Sequence, residues 1–282
     1  MTIKSLSLIT ATLLLTTQTY ADEILEPITV ISTNKTDQSI QETTANLTVI
    51  TSQDIEEKGY LTVAQAINHV AGISVTYAGG LGQQTSFFMR GADSGKVLVL
   101  LDGMRLNDPS TTNGTALLDS LTTNNISQIE IIKGGSSSIW GSNASAGVIN
   151  IITKEATKGV HGSFALGYGS YNTKEAEAQL SYKDEKLTAQ VLASYLDTDG
   201  FSALAPREAE KDGYTNKDLN LKLGYAFNEN NRLNLSYNRI KTETEYDDRW
   251  SVDLANDDYS HSTSDQENYA LDYRFELDHY LR

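Results

Sequence analysis

Two different patterns of hydrophobic and polar positions share this chain, and they change over near residue 154. Before that point apolar residues come in short runs, VLVLL at 97–101, ISQIEII at 126–132 and GVINIIT at 147–153, each bounded by Gly, Asn or Asp. Runs this short and this rich in Val and Ile predict buried strands rather than helices. Residues 47–50 predict another strand, after which Thr51-Ser52 offers an N-cap to a helical turn over 53–58 that Gly59 ends. Thr62-Val63-Ala64-Gln65 has the form of a capping box and opens a helix to Val70, with Gly72 just past its end. Residues 73–77 alternate as a strand and lead into a polar loop, AGGLGQQTS at 78–86; a second polar loop, 107–115, follows the turn DGMRL.

After residue 154 the period becomes two. Phe164, Leu166 and Tyr168 alternate with small residues, and Ala176, Ala178, Leu180 and Tyr182 alternate with Glu175, Glu177, Gln179 and Ser181. The same alternation recurs over 187–195, 219–227, 233–237 and 269–277. Segments of about ten residues with this period fit strands that cross a membrane, apolar toward lipid and polar toward a lumen. Tyrosines near the segment ends fit an interfacial girdle. The connections alternate too: 183–186 and 228–232 are short, while 197–217 and 242–267 are long and polar. A soluble antiparallel sheet would show the same alternation, so the pattern needs support from elsewhere in the chain.

That support begins at the amino end. Lys4, a mostly apolar stretch at 6–15 and Thr19-Tyr20-Ala21 before Asp22 form a cleavable secretory signal over 1–21, too short to span a bilayer as a helix. No later run approaches the roughly twenty apolar residues of a membrane helix. A net charge of -15 argues against nucleic acid as a partner. The absence of Cys excludes disulfides and thiolate chemistry, and the four His are too scattered to ligate a metal together. Gly134-Gly135-Ser136-Ser137-Ser138 lacks the P-loop pattern, because Lys133 precedes the glycines instead of following them. No nucleophile–base pair or catalytic carboxylate pair stands out, so no enzyme activity is expected.

The order MRG … VLVLLDGMRL … IEIIKG … SSIWGSNASAGVINIITK resembles the plug domain of TonB-dependent outer-membrane receptors, from about residue 49 to 154. The resemblance implies a mixed α/β plug domain over 47–154, followed over 159–282 by about six antiparallel strands of a transmembrane β-barrel in a Gram-negative outer membrane. It also implies a coupling segment and linker at 22–46. There Glu26-Pro27-Ile28-Thr29-Val30-Ile31-Ser32-Thr33 matches the TonB box, a β-prone string able to add to a partner's sheet. The partners implied are TonB with ExbB and ExbD, outer-membrane lipid and a small-molecule ligand. Arg90, Arg105 and Lys133 stand beside glycines at the ends of the apolar runs, and the barrel wall is expected to supply their carboxylate partners.

A barrel that holds a plug has about 22 strands, which requires on the order of four hundred residues. The remainder after the plug holds about six, so the chain reads as an incomplete barrel: an amino-terminal fragment or a truncated reading frame. Within the family the sequence looks most like receptors for cobalamin (vitamin B12). The positions implied to contact ligand are Gln83, Gln84, Thr85, Ser86, Thr111, Thr112 and Thr115, although Pro109 and Asn113 depart from the pattern. The same resemblance implies calcium in the outer loops, with Asp197, Asp199, Glu210, Asp212, Asp247 and Asp248 as oxygen ligands; a solvated acidic face is the alternative. A ferric-siderophore or haem receptor of the same architecture, and a nonfunctional fragment, remain open.

Overall fold

The computed structural model describes residues 29–30, 38–39, 46–202, 211–246 and 260–275. The signal segment lies outside them, as do six of the eight TonB-box positions: Glu26, Pro27, Ile28, Ile31, Ser32 and Thr33. Two short strands, β1 (Thr29–Val30) and β2 (Gln38–Ser39), pair antiparallel. The plug follows as β3 (Leu47–Thr51), α1 (Ser52–Lys58), α2 (Val63–Asn68), β4 (Ile73–Tyr77), β5 (Thr85–Met89), β6 (Ala92–Asp93), β7 (Val97–Leu101), β8 (Met104–Arg105), β9 (Ile126–Lys133), α3 (Ser137–Trp140) and β10 (Gly147–Thr153).

The three apolar runs become β7, β9 and β10, neighbours in a five-stranded sheet of order β3-β9-β10-β7-β8. Only β10 and β7 run parallel, in the register Ile149↔Val99. Both faces of this sheet are covered, which is why its strands read as solid apolar runs. Val97, Val99, Leu101, Ile129, Ile131, Ile149 and Ile151 face the main core, shared with Ile67 of α2 and with Phe87 and Met89 of β5. Leu98, Leu100, Ile132 and Val148 face a smaller cluster under Trp140. Each such side chain contributes about 2 kcal/mol by leaving water.

Local chemistry sets the ends of these elements. Thr51 and Asp54 close a capping box on α1, and the hydrogen bonds from Thr51 hold the Asp54 carboxyl below its ordinary range. Thr62 and Gln65 do the same for α2. That helix ends at Asn68, short of the expected Val70, because the Asn68 side chain accepts from the Val75 amide (3.1 Å) and turns the chain into β4. Between β7 and β8 the two-residue turn Asp102-Gly103 has positive φ at both positions, as a tight hairpin requires.

Beyond the plug, β11 (Gly159–Gly169), β12 (Thr173–Lys183), β13 (Leu187–Thr198), β14 (Tyr214–Asn228), β15 (Asn231–Tyr246) and β16 (Ser260–Phe275) form one antiparallel meander in chain order. Among the described residues the sheet is not closed: β11 and β16 each have one strand neighbour. The expectation of a plug followed by about six strands of an incomplete barrel is thus borne out. No described helix is long and apolar enough to cross a membrane.

Parity along the strands is strict. On β13, Leu187, Val191 and Tyr195 point outward, while Gln190, Leu192, Ser194, Leu196 and Thr198 are buried, the first three on the plug side. The outward rows are apolar over most of their height, for example Leu180↔Val191↔Leu221↔Tyr237↔Tyr269. Above them the outward positions turn charged, where Arg239 meets Asp265 (2.7 Å) and Glu267 (3.5 Å). These polar strand ends correct the expected long connections. The strands continue to Thr198 and Tyr246 and resume at Tyr214 and Ser260, so the connections shrink to 199–213 and 247–259. A β-ladder is held by backbone hydrogen bonds and cross-strand pairs, so it needs no apolar face once it has left the lipid.

Candidate ligand cavity and the plug–wall joint

At the end of the meander that carries the long connections, plug and wall enclose a cavity of about 560 Å³. The first polar loop reaches it with Gly82, Gln83 and Gln84; the wall adds Tyr214, Thr242, Thr244, Tyr246, Ser262 and Ser264; the plug floor adds Leu117, Asp119 and Ser120. Its chemistry is that of amides, hydroxyls, two tyrosines and two acids, Asp119 and Asp212.

The loop is fastened to the wall. Gln83 is 8% exposed, and its Nε2 donates to the Glu245 carbonyl (2.6 Å). Thr244 Oγ1 donates to the Gly82 carbonyl (3.3 Å). Gly82 has φ +76, and a Cβ there would stand 2.0 Å from the Tyr214 ring. Both facts require glycine at this position. The floor is clamped by the same strand: Tyr214 OH donates to the Asp119 carbonyl (3.2 Å) and Asn216 Nδ2 to the Ser120 carbonyl (2.8 Å). Burial pushes the Asp119 carboxyl up to about 6 against the pull of its own and the Ser120 backbone amide.

Of the positions implied for ligand, the structure brings Gln83 and Gln84 to this cavity. Thr85 lines a neighbouring one of about 540 Å³, together with Tyr60, His69 and Phe201. Ser86 lies on β5 opposite Thr76. Thr111, Thr112 and Thr115 sit in the second loop, outside the lining of the 560 Å³ cavity. That loop folds on itself: Thr111 Oγ1 donates to the Asp108 carbonyl (2.9 Å) and accepts from the Thr115 amide (3.0 Å). Sequence reasoning missed Asp119, Tyr214 and the hydroxyls of β15 and β16. Parity held the signal for the strands, since outward Leu219 and Leu235 imply inward Asn216, Tyr214, Thr242 and Thr244.

The three cations flagged from sequence meet other groups. Arg105 donates to Ser142 and to Asn143 Oδ1 (3.2 Å), and Lys133 Nζ to the Ala71 carbonyl (3.2 Å). Arg90 is exposed, with its backbone amide on the Gly72 carbonyl (2.7 Å). Among the described residues none of the three has a carboxylate within ion-pair distance. The ion pair that does join plug to wall has the opposite polarity, Lys222 of β14 with Asp102 of the β7–β8 turn (2.9 Å). Both side chains are largely buried, and Asp102 also accepts from the Thr153 amide (2.9 Å) and hydroxyl (2.8 Å).

The acids proposed for calcium divide. Asp197 pairs with Lys174 (3.5 Å) and Asp199 with Lys211 (2.9 Å), while Asp212 is buried at the ligand cavity. Glu210, Asp247 and Asp248 lie outside the described residues. Among the described residues no three acidic or histidine side chains group as a metal site.

At the opposite end of the plug, the two described TonB-box residues are docked. Val30 is 0% exposed, and Gln128 Nε2 bridges the Thr29 carbonyl (2.9 Å) and Glu130 Oε1 (2.8 Å).

Comparison with known proteins agrees with this architecture. Residues 39–148 match the model of the TonB-dependent receptor plug domain. A vitamin B12 transporter, BtuB of Vibrio vulnificus, is 34% identical over 248 residues, which is 86% of this chain and 40% of that protein. Among solved structures, the alcaligin outer-membrane receptor FauA of Bordetella pertussis superposes with a TM-score of 0.66 at 15% identity, over 88% of this chain and 39% of that one. The Pseudomonas aeruginosa receptor FpvA, in complex with a pyoverdine, gives a TM-score of 0.67 at 17% identity, over 86% and 33% respectively. At such identity the likeness is one of fold. The chain spans well under half the length of each of these proteins.

Proposed function

Because the chain belongs to the TonB-dependent receptor family of the Gram-negative outer membrane, we propose that it acts in the energised uptake of cobalamin. The observation that carries the ligand assignment is the 34% identity to the Vibrio vulnificus B12 transporter. The cavity supports it, offering the amides of Gln83 and Gln84 with hydroxyls from the wall and floor, groups suited to a large amide-bearing ligand. Ligand seated there touches Gln84, Asp119 and Tyr214, and so bears on both clamps that tie plug to wall.

The path inward is short. Leu121, next to the clamped floor, accepts the Val63 amide at the start of α2 (3.0 Å), and Thr122 bridges to Thr62. A shift of the floor would therefore act on the helix that backs the central sheet. At the far side of that sheet, releasing Thr29 and Val30 from Gln128 would free residues 26–33 to add as a strand to TonB, energised through ExbB and ExbD. The chain carries out transport on this reading, not catalysis.

The test is uptake of labelled cyanocobalamin by cells that lack any other cobalamin receptor, with and without a working TonB. TonB-dependent accumulation supports the proposal. A second reading, ferric-siderophore uptake, rests on the fold shared with FauA and FpvA and requires accumulation of ferric complexes instead. Accumulation of neither would mark this chain as a nonfunctional fragment.

A further inference from the structure

The lining of the outer cavity carries a charge preference that the shared fold does not explain. Among the described residues that line it, two are acids, Asp119 and Asp212, and none is Lys, Arg or His. The chain as a whole stands at -15. An anion entering here meets like charge from Asp119 and Asp212, in a cleft whose walls focus the field. A neutral ligand bearing N–H donors, or a cation, meets acceptors.

Asp119 sits where such a donor would arrive. It occupies a 3₁₀ turn, Leu118–Ser120, whose backbone is held by Tyr214 and Asn216, so its position is fixed from the wall side. Its Oδ1 accepts from the Ser120 amide (3.1 Å), and no cation lies within ion-pair distance among the described residues. Asp119 also borders the neighbouring plug cavity beside Tyr77 and Phe201, which places it at the partition between the two spaces. A carboxylate largely withdrawn from water and without a cationic partner is costly to keep, and a ligand N–H would offset that cost.

We infer that this cavity selects uncharged or cationic ligands bearing amide or ammonium donors and excludes anionic ferric complexes, with Asp119 as the selecting acceptor. The inference rests on the cavity being the ligand site and narrows its substrate class. It stands apart from the choice of cobalamin, because a cationic ferric complex would satisfy it equally.

The experiment is equilibrium binding to the protein in outer-membrane vesicles at pH 7.5 with two probe pairs. One pair is cyanocobalamin and a cobalamin monocarboxylate, in which one side-chain amide has been hydrolysed to an acid. The other is a cationic ferric trihydroxamate and a triply anionic ferric tris-catecholate. The uncharged or cationic member of at least one pair should bind about tenfold or more tighter than its anionic counterpart. Asp119→Asn should reduce that ratio to about threefold or less, and Asp119→Glu should retain it. Binding of the cationic complex without cyanocobalamin would sink the cobalamin assignment and leave this inference standing. The inference is overturned if an anionic probe binds as tightly as its partner, if no uncharged or cationic probe binds, or if the ratio survives in Asp119→Asn.

Discussion

The plug and the wall are built from strands of the same chain, yet they cohere for different reasons. The central plug strands bury both faces; β7 is buried at every position, and β9 and β10 of the same sheet bury Ile129, Ile131, Ile149 and Ile151 in the same core. The wall buries one face only and turns Leu223, Tyr269, Leu271 and Phe275 outward, where lipid replaces a core. Between them the joint is mostly polar: Lys222–Asp102, Gln83 to Glu245, Tyr214 to Asp119, Asn216 to Ser120, and Gln190 to the Lys154 carbonyl (3.1 Å). Apolar contact across it comes from few residues, among them Ile240, which joins the plug core. The difference teaches how a plug can be firmly folded and still loosely seated. Hydrogen bonds in a joint exchange for bonds to water at about 1 kcal/mol net each, whereas opening an apolar seam exposes its whole area.

The sharpest way to separate the two bodies is through the segment that belongs to neither core. Val30→Pro removes a ladder donor from β1 and bars strand addition to a partner. Transport should fall to background, with ligand affinity held within about threefold because the cavity lies at the other end of the plug. Parallel uptake and binding measurements check this, and normal uptake would end the assignment of residues 26–33 as the coupling segment.

The joint itself comes next. Lys222→Met leaves Asp102 largely buried beside Thr153 without its cation and should loosen the plug by about 3 kcal/mol. The wall should remain protease-resistant in the membrane while the plug becomes cleavable. Adding Asp102→Asn should recover much of the loss. If single and double variants are cleaved alike, the pair is not a fastening.

Gly82→Ala should cost about 2 kcal/mol, from a disfavoured φ and a collision with the Tyr214 ring. Because the collision pushes the loop from the cavity, ligand binding should weaken by about tenfold or more. In a Tyr214→Ala background, which removes the ring, Gly82→Ala should cost less than about threefold in further affinity. A full loss of about tenfold in that background would detach the loop's position from Tyr214.

The two regions also differed in how far they could be read in advance. The plug strands and caps were legible because their causes are local: Thr51 with Asp54, Thr62 with Gln65, and Asp102-Gly103 between apolar runs. The wall strands were legible through parity. Their upper ends were not, since residues such as Thr244 and Ser262 pair through backbone alone and carry no apolar signature. The joint was legible least. Arg90, Arg105 and Lys133 stood out by their glycine neighbours, whereas the pair that forms, Lys222 with Asp102, joins residues 120 positions apart by a register that no local pattern encodes. Glu130, 0% exposed within β9, was hidden in plain view as the one charge in ISQIEII.

The smallest effect tests whether the floor of the cavity is maintained at some expense to the plug. Folding raises the Asp119 carboxyl from its ordinary 3.8 to about 6, and burial is the leading cause. Between those values the folded state binds more protons than the unfolded state, so stability falls as pH rises through the window and stays low above it. Two pH units correspond to nearly 3 kcal/mol in full; because Asp119 borders an open cavity, solvent screens it, and about 1 kcal/mol is the expected cost at neutral pH. Asp119→Asn should therefore stabilise the floor by that amount at pH 7.5 and by nothing at about pH 2, well below both values, where the wild-type group is protonated in both states. Hydrogen exchange at residues 118–121 reads the difference locally, apart from the wall. Equal protection of the two proteins at both pH values would mean that Asp119 is solvated in place, and the argument that a ligand donor offsets its burial would lose its footing.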